Sequence, residues 1–311
     1  MIAKQNFVDE RYELISVIFK LAGNWEYNIG LGGLEGVKYP IPDEQLDEAS
    51  RCEHTNSYQL EVTKAFKRYA NHQAVLFAKD LAIGFSNPFR FAMHIKKDGN
   101  KFVFIDDISS LTYDTWTLES AQKFLSLYNQ FYNDTGYANF YATYAPYFEK
   151  LSQTFYNNYY HTVDFSWYSK YVDVSNLRCI LSPSNTLTNY AATVNDRIIY
   201  ALIRVLSGSI LIHEFNHSFA NPLADLWYAE NKVFKQWCDE SITEKMPYYS
   251  DGLDIAREYV THAYHILYEH QHGGDPDKAL VTIKNAAFEN SFPYIEDIYK
   301  MVLTLEKIEQ N

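Results

Sequence analysis

Ser209-Ile210-Leu211-Ile212-His213-Glu214-Phe215-Asn216-His217-Ser218-Phe219-Ala220-Asn221-Pro222 is the stretch on which the reading of this chain turns. Leu211, Ile212, Phe215 and Phe219 recur at one-, three- and four-residue steps. That spacing predicts an amphipathic helix, with Ser209 placed to cap its start and Asn221-Pro222 to end it. On such a helix His213 and His217, four apart, project from one face and can reach a single ion, which is the HExxH arrangement. Glu214 is then the candidate general base, taking a proton from a water that zinc acidifies. Burying two imidazoles and a carboxylate on a short apolar helix is costly unless a metal ion partners them, so Zn2+ is the expected cofactor. The alternative is a pair of hydrogen-bonded core histidines.

A catalytic zinc takes three protein ligands and keeps one position open, so a third ligand has to come from elsewhere. Downstream, Asp254, Glu258 and His262 share one face of a predicted helix at four-residue spacing. Glu258 is the preferred third ligand, with His262 and His265 as alternatives. If Glu258 binds the ion, His262 lies one turn on and suits a donor to an oxyanion, with Tyr259 and Tyr264 as weaker candidates. Asp254 and Asp225 are candidates to orient a ligand histidine from behind.

Outward from this region the pattern is mostly helical. Helices are predicted over Val8 to Ala22, Asp43 to Leu81 with a break near Asn71, and from Thr117 to Tyr132, ended by Gly136. Another begins near Pro88, and an aromatic stretch runs from Tyr137 to Tyr171 with a break at Pro146. The carboxy-terminal part reads as helices over Ile210–Ala220, Leu223–Glu244, Leu253–His270, Asp277–Glu289 and Tyr294–Gln310. A turn at Lys96 to Asn100 before the strand-like Phe102–Ile105 predicts a hairpin, and Leu177–Leu181 and Arg197–Val205 read as two strands joined by a Ser/Asn/Thr loop. The fold class is therefore α+β, predominantly helical. One compact unit over 1–311 is the simplest organisation, with a possible cut into 1–173 and 174–311.

The 311 residues are 47% hydrophobic, enough for a core, and the net charge of −12 argues against nucleic acid or an anionic membrane surface as partner. No window is long and apolar enough to span a bilayer. Three scattered cysteines, Cys52, Cys179 and Cys238, predict idle thiols rather than a disulfide framework. The 27 Tyr and 20 Phe predict helix packing by half-buried rings. Asn216-His217-Ser218 fits a glycosylation triplet but lies inside the metal helix, and His270 to Gly274 reads as a glycine-capped helix end.

The likeness extends beyond the motif. With Val8-Asp9-Glu10-Arg11-Tyr12-Glu13-Leu14 through Leu21-Ala22-Gly23-Asn24, with His72-Gln73-Ala74-Val75, and with His213 to Pro222, the chain resembles an uncharacterised bacterial domain-of-unknown-function family regarded as gluzincin-type zinc metallopeptidases. That resemblance implies a zincin-like core with a small sheet beside the HExxH helix, zinc on His213, His217 and a downstream glutamate, here Glu258, and Glu214 as base. Family members often look exported, which implies an extracytoplasmic setting.

Three functions compete. Peptide hydrolysis leads, with Arg197–Val205 as an edge strand able to pair with an extended peptide or protein substrate. Zinc-dependent deacylation or amidohydrolysis uses the same ion and base. A non-catalytic helical binding module would hold a structural zinc or none.

Overall fold

In a computed structural model, the residues described are 6–24, 27, 53–81, 87–105, 108, 109, 111, 116–184, 189–194, 198–203, 208–242, 249, 251–286 and 290–309. The chain is predominantly helical and divides into two compact units that interleave along the sequence, 1–162 with 177–210 and 163–176 with 211–311. A single cut near Asp173 does not describe this division, because 177–210 returns to the first unit.

In the first unit, α1 (Glu10–Leu21) starts where the Asp9 carboxylate accepts the Arg11 amide at 2.9 Å, and its first turn carries Glu10 and Glu13, favourable at the positive end of the helix dipole. The helix ends at Gly23, whose φ of +83° lets Asn24 N–H return to the Phe19 carbonyl. It is followed by α2 (Glu53–Phe66), α3 (Gln73–Asp80) and α4 (Asn87–Met93). The break expected near Asn71 falls between α2 and α3, and the predicted residues 43–52 lie outside those described. Strands β1 (Ile95–Asp98) and β2 (Lys101–Phe104) form the expected hairpin, with Gly99 at φ +60° in its two-residue turn. The polar Lys96 and Lys97 belong to β1 rather than to the turn: both are exposed on this two-stranded ribbon, and Lys97 reaches the Glu10 carboxylate at 2.6 Å.

Helix α5 (Leu118–Thr135) is capped by a reciprocal Thr117–Ser120 box and ended by Gly136 at φ +63°. Then come α6 (Tyr137–Thr143) and α7 (Ala145–Asn158), and Pro146 begins α7 rather than kinking a longer helix. The aromatic content is accounted for by packing. Phe91 meets Trp116, Phe124 and Tyr128 at centroid distances of 5.1, 4.8 and 5.7 Å, and Tyr58 packs on Tyr144, Tyr147 and Phe148.

The sheet of this unit has three strands in the order β3 (Leu177–Leu181), β5 (Ile198–Ile203), β4 (Tyr190–Val194). β3 runs parallel to β5, and β4 pairs with it antiparallel in the register Tyr190↔Leu202 to Val194↔Ile198. The described part of the Arg197–Val205 segment, Ile198–Ile203, is therefore central, not an edge. Its two backbone sides are taken by β3 and by β4, which forms within what reads from sequence as a Ser/Asn/Thr loop. A polar knot lies beneath the end of β3, where fully buried Glu13 accepts hydrogen bonds from Ser182 Oγ at 3.1 Å and Ser184 Oγ at 2.5 Å.

In the second unit, α8 runs from Gly208 to Glu230 without interruption. Sequence reasoning divided it at Asn221-Pro222, but Pro222 sits within the helix on its exposed face, where a lost backbone hydrogen bond costs least. It is followed by α9 (Lys232–Ser241), α10 (Gly252–Gln271), α11 (Pro276–Lys284) and α12 (Ile295–Glu309). Helix α10 is the axis of the unit. It packs against α9, α11 and α12, and carries a nearly continuous buried run from Tyr259 to Tyr268. Trp167, Tyr171, Phe219 and Tyr264 close an aromatic cluster around α8 and α10. No helix among the described residues is long and apolar enough to cross a membrane. Cys179 and Cys238 are free and buried, and Cys52 lies outside the described residues.

Candidate metal centre

The candidate ligands and the candidate base fall in the second unit, on α8 and α10. The expected four-residue spacing is realised: His213 and His217 present their Nε2 atoms to each other at 3.3 Å, with ring centroids 4.9 Å apart and planes perpendicular. From α10, Glu258 reaches the same point, its Oε2 3.4 Å from His213 Nε2 and its Oε1 3.6 Å from His217 Nε2. The three side chains are 17%, 13% and 16% exposed, so the donors converge in a pocket that solvent still touches. Donor atoms of His213, His217 and Glu258 lie within 4.8 Å of one another, a spacing that one cation can bridge.

The electrostatics suit that cation. Burial lowers the His213 pKa, keeping its imidazole neutral and able to donate a lone pair. Burial would raise Glu258, but its contacts with His217 and His213 more than reverse this, so its carboxyl stays in the anionic form. Glu214 faces the opposite situation. It is 4% exposed, its Oε2 has no hydrogen-bond partner among the described residues, and burial followed by the Glu258 charge pushes its pKa well up. A divalent cation between the three donors would offset both the repulsion and the orphaned oxygen, so the residues present fit a zinc ion.

His217 is oriented from behind, by residues that sequence reasoning did not assign. Its Nδ1 lies 2.9 Å from Asn221 Oδ1 and 3.0 Å from Thr261 Oγ1. An amide oxygen can only accept, so Nδ1 carries the hydrogen and Nε2 keeps its lone pair toward Glu258. Asn221 is one helical turn beyond His217 and Thr261 one turn short of His265. The signal was available in the spacing, but the proline after Asn221 suggested a helix end. Asp225 and Asp254 do not orient a histidine. They turn to Arg257, at 2.8 Å and 3.6 Å.

The remaining candidates separate clearly. His262 lies beside the pair, its ring 4.6 Å from that of His213 and 4.8 Å from Phe292, with Nδ1 buried and unpartnered among the described residues. Tyr259 is tied to Ser241 at 2.8 Å and accepts the Tyr294 amide, which directs its hydroxyl there, and the Tyr264 ring belongs to the aromatic cluster. Tyr249, which no sequence pattern marks, is coupled to the site: its hydroxyl pKa is raised by burial and then by the charges of Glu258 and Glu214. Asn216 is fully buried beside the Tyr168 hydroxyl at 3.1 Å, which closes the glycosylation triplet to a glycan. His270 and His272 form the expected helix end, with Gly273 at φ +86°; His270 meets Tyr299, and His272 meets the Tyr268 carbonyl and Asp164.

Compared with models of known families, with curated proteins and with solved structures, the chain matches none, so the gluzincin resemblance rests on its motifs alone.

Proposed function

We propose that this protein is a zinc-dependent hydrolase acting on peptide bonds. The observation that carries the proposal is the convergence of His213, His217 and Glu258, from two helices, with donor atoms 3.3 to 3.6 Å apart around one point. Two neutral imidazoles and one carboxylate are the ligand set of a catalytic rather than a structural zinc site. A zinc ion held there supplies Lewis acidity, polarising a carbonyl and lowering the pKa of water.

The chain's own residues then divide the work. Glu214, adjacent to His213 and with its Oε2 unpartnered among the described residues, takes a proton from water and passes it to the leaving nitrogen. Its raised pKa favours holding that proton between the two transfers. His262, kept neutral by burial and by His213, retains one N–H to donate to an oxyanion. Asn221 and Thr261 hold His217 in the tautomer that the site requires. The net charge of −12 favours neutral or cationic substrates.

One observation favours a second reading. The central place of β5 removes strand addition there as a way of holding an extended peptide, which leaves hydrolysis of a non-peptide amide as the rival, served by the same donors. A digest of a mixed peptide library by the zinc-loaded protein, run beside Glu214→Gln and a panel of N-acylated amines, tests both. New peptide termini from the wild type and none from the variant support peptidase action. Cleavage of the acyl amides alone moves the assignment to deacylation, and equal turnover by wild type and variant excludes the mechanism.

A further inference from the structure

The donors of the site continue past Glu258 along the same face of α10. His213, His262 and His265 also bring ring nitrogens within 4.8 Å of one another, with ring centroids 4.6 Å from His213 to His262 and 6.4 Å from His213 to His265. His262 Nδ1 is buried without a partner among the described residues, and the His262 ring meets Phe292 at a centroid distance of 4.8 Å with planes 70° apart. An imidazole nitrogen so placed costs stability unless something binds it. His265 is 6% exposed, and its Nε2 lies 3.3 Å from the Glu269 carboxylate, the outer contact that typically fixes and activates a ligating imidazole.

We propose that His213, His262 and His265 form a second, all-imidazole metal position beside the first, able to hold a copper(II)-class ion. The two positions share His213 and therefore compete for one ion. The first, with a carboxylate, suits zinc. The second, with three imidazole donors, also suits copper(II), the divalent ion that a given nitrogen site holds most tightly. This inference rests on the reading of His213 as a metal ligand but not on Glu258 or on hydrolysis. It makes occupancy depend on which metal is supplied, with copper displacing zinc from the shared histidine.

The double variant His217→Ala/Glu258→Ala dismantles the zinc position and leaves the second triad whole. Titrated with copper(II) against a competing chelator, it should bind about one ion, with nitrogen coupling from three imidazoles in its electron paramagnetic resonance spectrum. Adding His262→Phe should weaken copper by more than the roughly 10–100-fold that losing an outer contact costs. This substitution replaces an orphaned polar ring by an apolar one against Phe292, so the fold is expected to survive, as melting curves would verify. His265→Gln in the same background gives a second, independent loss. Failure of the double variant to hold copper more tightly than it does with His213→Ala added, or indifference to His262→Phe, overturns the proposal. If zinc binding through Glu258 persists in the wild type in that case, the hydrolase reading stands without it. Copper retained by the double variant, with no Glu258-dependent zinc in the wild type, supports the triad and removes the hydrolase.

Discussion

Removing the Asn221 side chain should loosen the metal without touching a ligand. Asn221 Oδ1 accepts from His217 Nδ1 at 2.9 Å and thereby fixes both the tautomer and the plane of a ring whose Nε2 must point at Glu258, 3.6 Å away. Loss of such an outer partner costs roughly 10–100-fold in metal affinity, or about 1.4–2.7 kcal/mol. Asn221→Ala belongs in the lower half of that range, because Thr261 Oγ1 at 3.0 Å can still accept from the same nitrogen. Thr261→Val alone should cost less, and the two together more than their sum, since each covers for the other. Asn221→Asp should bind zinc at least as tightly as the wild type, because a carboxylate is the stronger acceptor for a ligating imidazole. The assay is competition against a chromophoric chelator at constant pH. Wild-type affinity in the Asn221→Ala/Thr261→Val double variant would refute the argument that His217 is held in place from behind.

Three further outcomes follow from the same contacts. Glu214→Gln should keep zinc, since both histidines and Glu258 remain, while removing hydrolysis; metal analysis beside a turnover assay checks it, and residual wild-type turnover would be incompatible with a base at this position. Glu13, pushed up to about 7 by burial against hydrogen bonds from Ser184 and Ser182, contributes stability that is fully present below its unfolded value of 4.5 and is lost as pH rises through about 7. That interval corresponds to about 3 kcal/mol, so urea melts should show Glu13→Gln gaining on the wild type by that order between about pH 5 and 8. Lys20, pushed down to about 7 by burial, acts with the opposite sign, and the difference between variant and wild type isolates Glu13 from it. Gly136→Ala should destabilise by about 1 kcal/mol, because φ of +63° at the end of α5 penalises a Cβ; an unchanged thermal midpoint would contradict the left-handed cap.

The helices were legible because their signals are local. Thr117 and Gly136 announce ends, and the apolar spacing of Tyr12, Ile15 and Phe19 announces a face. The pairing of His213 with His217 was legible for the same reason, since a four-residue step on a helix already implies a shared face. Glu258 was legible only as a position on a face of α10, because nothing in sequence fixes how α10 lies against α8. β4 escaped notice since Tyr190-Ala191-Ala192-Thr193-Val194 sits among polar turn-forming residues, and without it β5 read as an edge. Pro222 was taken at face value as a helix breaker, a rule that fails where the proline faces water, and that error concealed Asn221 as the partner of His217. Tyr249 stands in no motif and is tied to the site only through the charges around it.

The central claim is that one divalent ion sits between His213, His217 and Glu258. Zinc titration against a competing chelator, with Glu258→Ala and His262→Ala alongside the wild type, tests it most directly. The account predicts about one zinc per chain in the wild type, a large loss of affinity in Glu258→Ala, where a direct ligand disappears, and near wild-type affinity in His262→Ala, whose oxyanion role is worth about 2.7–4 kcal/mol in the transition state alone. No zinc on reconstitution of the wild type, or zinc lost with His262 and kept without Glu258, would contradict it.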